Sequence, residues 1–338
     1  MANHSMWALA LTLSWAAAAH GAVTMVTVGN AGNRADTTTG YGAVNYNYQI
    51  GQYEVTSSQY TAFLNAVATS SDSHGLYSTL MTSTYGCNIK QINSGSSYTY
   101  KVDSDWSERP VNYVSLYDAA RYANWLTTGD TENGVYTFAG NVLSSVMDHQ
   151  LAAMTFGTAY FIPTENEWYK AAYHNSTAGT AASYYLYPTK SNSAPSNTDP
   201  PADSGNTATF YTTTYTIDSP YYRTEAGDHE NSASSYGTYD QGGNVFEWTE
   251  NSVLRGGSFY NDVTWLASTV RSESNATCQY ARYGFRVASM SPSDLGEVPE
   301  PASLAIWLTG ALGLLVRMRQ KRPHGQCTST RRVALSAR

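Results

Sequence analysis

Charge is scarce in this chain: 13% of its 338 residues are Asp, Glu, Lys or Arg, and the formal net charge is -7. Nucleic acids are gripped largely through Lys and Arg on phosphate. This balance, with no basic run inside the central region, therefore excludes a nucleic-acid partner. Sulfur is scarce too. Cys87, Cys278 and Cys327 are the only cysteines, too few for a disulfide framework. The seven histidines (His4, His20, His74, His149, His174, His229 and His324) are scattered, with no pair at the spacing of a helical metal site. Nucleophile elbow, P-loop and dinucleotide fingerprint are all absent. What the chain has instead is tyrosine, 28 of them, set among loops of Ser, Thr, Asn and Gly. Such a surface is polar but weakly ionised, and it suits contact with glycans or peptides outside the cell.

Both ends read as addresses. From Trp7 to Ala19 the sequence is apolar, followed by the small residues Gly21 and Ala22, so residues 1–22 are expected to be a signal peptide. The segment before Trp7 lacks Lys and Arg, which leaves a short N-terminal membrane anchor as the alternative. After the central domain at 23–290 and a linker at 291–301, Pro299-Glu300-Pro301 precedes an apolar segment at 302–316 and a basic tail at 317–338 that opens with Arg317 and Arg319. A helix over 302–316 would reach only about 22 Å, short of a hydrocarbon core of about 30 Å, which suits a transient anchor. The basic residues would keep its end in the cytoplasm. The order of Pro-Glu-Pro, apolar segment and basic stop resembles the PEP-CTERM sorting signal. That resemblance implies an exosortase-type partner and delivery to the cell surface or extracellular matrix of a Gram-negative bacterium. Cys327 falls in the tail; in an oxidising compartment Cys87 and Cys278 either pair or stay as lone thiols.

Three helix starts are written as capping boxes, in which a hydroxyl side chain caps the backbone and the residue three further on reaches back. They are Thr56 with Gln59, Ser115 with Asp118 and Thr164 with Glu167. After the first, Tyr60, Phe63, Leu64 and Val67 recur at the helical spacing of a half-buried face. Strands are expected at 48–55, 253–259 and 284–288, and from 176 to 240 neither periodicity is visible. The class is α+β with much irregular structure. Loops of that length in a compact domain are usually functional or organised by a metal.

Within this frame lie Tyr53-Glu54-Val55-Thr56, Arg109-Pro110-Val111, Pro163-Thr164-Glu165, Gly243-Asn244-Val245-Phe246-Glu247-Trp248, Arg255-Gly256-Gly257-Ser258 and Gly284-Phe285-Arg286. Together, and in this order, they resemble the landmarks of the formylglycine-generating-enzyme (sulfatase-modifying factor) family over roughly 26–289. The resemblance implies an irregular C-type-lectin-like fold. It also implies a copper(I) site built from two cysteines after the Gly-Gly-Ser turn, yet Asn261 and Leu266 stand three and eight residues after Ser258, with no cysteine up to Arg271. An amide and an isobutyl group cannot hold a soft metal, so copper is not expected. Ser258 and Arg271 read as remnants of the pocket, Ser258 as a turn residue. The resemblance further implies a calcium loop, with side-chain oxygens from Asp240 and Glu247 and carbonyls from Gly243 and Val245; the alternative is a Gly-rich turn that needs no ion. Trp168 and Trp248 are expected in the core, whereas Trp265 and the tyrosines of 184–222 are candidates to contact a sugar. The function expected is an exported binding or structural module with a glycan or peptide ligand. A diverged formylglycine-generating oxidase is the alternative.

Overall fold

The computed structural model describes residues 22–295; most of the expected leader, the Pro-Glu-Pro motif, the apolar segment and the basic tail lie outside the described residues. No helix among the described residues is long and apolar enough to cross a membrane.

All three capping boxes form. Thr56 caps α1 (Ser57–Val67), Ser115 caps α2 (Leu116–Thr128) and Thr164 caps the helix at Glu165–Tyr173; in each, the hydroxyl accepts the amide of the third residue on while that residue's side chain accepts the cap's amide. Each such cap is worth about 1 kcal/mol. Between the last two lies α3 (His149–Phe156), opened by the Asp148 carboxylate on the Leu151 amide, so Glu165–Tyr173 is α4. The stripe read on α1 is real: Tyr60, Phe63 and Leu64 are buried. Tyr60 and Phe63 meet Tyr122 of α2 at ring separations of 6.1 and 5.3 Å, and Phe285 closes on Tyr122 at 5.4 Å.

The strands are short: β1 (Met25–Val28), β2 (Tyr48–Gly51), β3 (Lys90–Asn93), β4 (Tyr98–Lys101), β5 (Tyr136–Ala139), β6 (Val142–Val146), β7 (Ala159–Phe161), β8 (Phe246–Trp248), β9 (Val253–Arg255), β10 (Ser272–Glu273), β11 (Tyr283–Gly284) and β12 (Ala288–Met290). One antiparallel sheet runs β1-β2-β12-β7, so the first and last strands of the domain are joined through β2. A second runs β10-β9-β8-β11 with β11 parallel to β8, and β3-β4 and β5-β6 are separate hairpins. Three sequence expectations are shortened: 48–55 pairs only to Gly51, 253–259 stops at Arg255, and 284–288 divides around Phe285, Arg286 and Val287. The reason at the second is the Gly-Gly turn. Gly256 has φ +90°, and a Cβ there would sit 2.4 Å from the Gln241 carbonyl oxygen.

Cys87 and Cys278 are both free thiols. Cys87 is fully buried with Sγ 3.9 Å from the Asn112 carbonyl, and burial pushes its thiol pKa up, away from reactive thiolate.

Candidate functional site

Most of the charged landmarks are fasteners. Arg286 donates from Nε to Glu247 Oε2 (2.6 Å) and from NH2 to Glu247 Oε1 (2.7 Å), and its remaining hydrogens reach the carbonyls of Gly51 (2.9 Å), Gln52 (3.2 Å) and Tyr239 (2.8 Å). Trp168 of α4 adds its indole N–H to Glu247 Oε2 at 2.7 Å. One buried ion pair therefore ties both sheets and α4 together. Arg255 of β9 does the same with Glu165 (2.8 Å) and the carbonyls of Ser268 and Val270. Arg109 donates to the carbonyls of Asp105 and Arg223.

The same geometry describes the expected ion loop. Both oxygens of Glu247 are taken by Arg286 and Trp168, so that carboxylate is not offered to a cation. Asp240 Oδ2 accepts the Gly227 amide at 2.6 Å. Gly243 (φ +96°), where a Cβ would lie 2.2 Å from the Thr209 carbonyl oxygen, donates to Gly256 O at 2.9 Å. Asn244 Oδ1 accepts from the Thr224 amide and hydroxyl at 3.1 and 3.2 Å. The segment 240–247 is thus a hydrogen-bonded turn in which the Glu247 carboxylate is committed to Arg286 and Trp168.

The remnant pocket is also redrawn. Ser258 is buried and donates to Asn261 Oδ1 at 2.6 Å while accepting the Tyr260 amide at 3.3 Å. Leu266 is fully buried in a small cluster with Tyr187, Ala208 and Phe210. Arg271 takes no part in this turn: it pairs with Glu165 (3.1 Å) and Glu273 (2.8 Å).

What the turn does present is tyrosine. A cavity of about 260 Å³ is walled by Tyr85, Phe259, Tyr260, Tyr280, Ala281 and Arg282. Tyr260 and Tyr280 are 54% and 51% exposed, whereas Phe259 forms a buried floor. Tyr85 is held from behind, since its carbonyl accepts from Asn112 Nδ2 (2.7 Å) and Arg223 NH1 (2.9 Å). Tyr222 packs on Tyr85 at 4.8 Å, Tyr215 on Tyr222 at 4.9 Å and Tyr211 on Tyr215 at 5.0 Å, so the aromatic surface continues into the long loop. Of the tyrosines expected to face a ligand, 211, 215 and 222 join this groove. Tyr184 instead bonds Asn33 and the Arg34 carbonyl, and Tyr221 lies over Arg109. Trp265 packs edge-on against Phe246, and Trp168 and Trp248 are buried as expected. Tyr85, Tyr260 and Tyr280 were missed in the sequence; the only signal was the position of Tyr260 directly after the Gly-Gly-Ser turn.

An α+β scaffold of short strands, held by buried Arg–carboxylate pairs and dominated by loops, defines the class of fold. The chain belongs to the sulfatase-modifying factor enzyme 1-like domain family, whose model matches residues 17–291. Among solved structures it is similar to one titled crystal structure of CarF (21% identity, 79% of this chain and 98% of that one, TM-score 0.45). It is also similar to Treponema denticola variable protein 1 (17%, 78% and 94%, TM-score 0.43) and to PvdO from Pseudomonas aeruginosa (18%, 74% and 82%, TM-score 0.40). No curated protein matches it.

Proposed function

We propose that this chain is a non-catalytic recognition module, exported and displayed at the cell surface or in the extracellular matrix, that holds a glycan across the tyrosine groove. The observation that carries this is the exposure of Tyr260 and Tyr280 beside a turn closed by the Ser258–Asn261 hydrogen bond and not by thiols. Aromatic faces stack on the C–H surfaces of sugars, and rings with a hydroxyl tip add hydrogen bonds. Tyr85 and Phe259 are fixed by their packing, so little ordering entropy is lost on binding. Export through residues 1–22, and sorting by an exosortase-type enzyme at Pro299-Glu300-Pro301 with transient membrane anchoring by 302–316, would place the groove outside the cell.

Glycan and peptide arrays probed with the mature exported protein, with and without calcium, test this. Glycan binding weakened about tenfold or more by Tyr260→Ala and independent of calcium is the expected result. The family membership favours one second reading, a diverged formylglycine-generating oxidase. Turnover of a cysteine-containing sulfatase peptide by the copper-loaded protein would establish that reading and remove the first.

A further inference from the structure

Glu54 is unlike the other buried acids among the described residues. It lies just beyond β2, is 2% exposed, and neither carboxylate oxygen has a hydrogen-bond partner. Glu247, Glu167, Glu165 and Asp118 are all matched by donors. Burial, then the negative charge of Asp240, hold the Glu54 carboxyl well above its ordinary pKa; Arg286 opposes them, but its hydrogen bonds are committed to Glu247. A carboxylate in that position has no hydrogen-bonded counter-charge, although Arg286 and Arg223 both act on it through space.

A cavity of about 220 Å³ adjoins Glu54, whose carboxylate oxygens are themselves closed from solvent; it is walled by Ala22, Val23, Thr24, Glu54, Gln59 and Glu108 among others. The chain enters here. Thr24 O accepts the Gln52 amide at 2.8 Å, Met25 pairs with Gly51 in the β1-β2 ladder, and the Val23 side chain packs on the core. The first residues of the expected mature protein thus line the same cavity as Glu54, together with a second acid, Glu108.

We propose that removal of the leader after Ala22 supplies the missing partner: the new α-ammonium of Val23 settles in this cavity and pairs with the Glu54 carboxylate. This rests on the export reading of residues 1–22. A leader peptidase adds water across the Ala22–Val23 amide, breaking the C–N bond. Ala22 leaves as a carboxylate, and both protons of the water end on the Val23 nitrogen, which becomes an ammonium. Before cleavage Glu54 is a buried acid with no hydrogen-bonded counter-charge, so β1 is held less firmly on β2. Afterwards the ion pair fastens that edge. Maturation would then complete the fold outside the cytoplasm, where a loosely fastened precursor no longer has to be threaded across a membrane.

The test uses the full chain expressed in an export-competent host, where the mass of the mature N-terminus reports cleavage. Two starts, Val23 itself and Val23 preceded by a Gly-Ser extension, are each made with Glu54 and with Glu54→Gln. The expected result is a Tm about 3 °C or more higher for the free Val23 start. Glu54→Gln should lower the Tm of that form and raise that of the extended form. A second measurement does not depend on relative stability: acylation of the Val23 amine near neutral pH should be about tenfold slower than in Glu54→Gln, because a paired ammonium gives up its proton less readily. Equal melting of both starts, a Glu54→Gln effect of one sign on both, or an amine acylated equally fast overturns the ion pair while leaving export intact. An uncleaved chain, or a mature start other than Val23, overturns the proposal through its premise.

Discussion

The Glu247–Arg286 pair and the exposed rings Tyr260 and Tyr280 stand on neighbouring stretches of the same C-terminal third, and they handle polarity in opposite ways. Around Arg286 two carboxylate oxygens and three carbonyls receive the guanidinium, an indole N–H completes Glu247, and no solvent reaches the pair. At Tyr260 and Tyr280, half of each ring is open. The family's charged landmarks therefore serve to hold loops without regular hydrogen-bond ladders, which leaves the turn after Gly257 free to carry whatever side chains recognition requires. The comparison breaks first if the ion pair proves dispensable. Glu247→Ala leaves Arg286 buried without its carboxylate and is expected to cost about 3–5 kcal/mol in urea denaturation. A wild-type midpoint would show that something else joins the sheets. Glu247→Leu with Arg286→Met should recover much of the loss, since an apolar pair of similar volume removes the desolvation cost as well.

A second buried cluster sharpens the same contrast through pH. His149 Nδ1 lies 3.2 Å from Glu167 Oε1 and Nε2 lies 3.1 Å from Glu250 Oε1, with the ring stacked on Phe161 at 3.6 Å. Burial pulls its pKa down, but the two carboxylates outweigh that and raise it to about 10 from an ordinary 6.5. A raised folded-state pKa gives stability that is complete below pH 6.5 and lost as pH rises towards 10. Glu167, whose buried carboxyl is held below its ordinary 4.5 by His149 and Thr164, fails at the acid end instead. Stability measured across this range should therefore fall on the alkaline side, and His149→Gln should flatten the fall. An unchanged alkaline slope in His149→Gln would mean that the imidazole is not charged in the folded protein.

The groove is expected to respond in binding alone. Tyr260→Ala and Tyr280→Ala remove exposed rings, so Tm should stay close to wild type while affinity for a glycan falls about tenfold or more, the scale of one lost aromatic contact. Equal binding by the double variant would move the ligand elsewhere on the surface.

The fold was legible where local rules govern it. Three capping boxes fixed the starts of α1, α2 and α4, and the aromatic stripe of α1 marks its buried face. Helix α3 escaped because its cap is a lone Asp148 without a reciprocal partner, and β3 to β6 escaped because two-stranded hairpins at the surface carry little alternation. The candidate site was less legible. Asp240 and Glu247 have the side chains a hard cation needs, but which donor claims a carboxylate is decided by residues such as Arg286 and Trp168, 39 and 79 positions away from Glu247 in the chain. Arg271 and Ser258 were joined by proximity in sequence, whereas the arginine pairs with Glu165 of α4 and takes no part in the Ser258 turn. Tyr85 reaches the groove from a loop more than 150 residues earlier, a juxtaposition that no local pattern encodes.

The smallest expected effect is also the one that separates the two readings of the turn. Ser258 Oγ donates to Asn261 Oδ1 and accepts the Tyr260 amide, so it stiffens the loop on which the exposed ring is mounted. Ser258→Ala loses one neutral hydrogen bond and leaves the Asn261 oxygen and the Tyr260 amide seeking water, at a cost of about 1 kcal/mol. If the groove is a binding surface, glycan affinity should weaken only slightly, through the freedom gained by Tyr260. A hydroxyl acting in chemistry would behave differently: its removal would abolish peptide turnover at unchanged stability. Denaturation, glycan titration and a peptide-oxidation assay on the same Ser258→Ala protein therefore distinguish a hinge pin from a catalytic group.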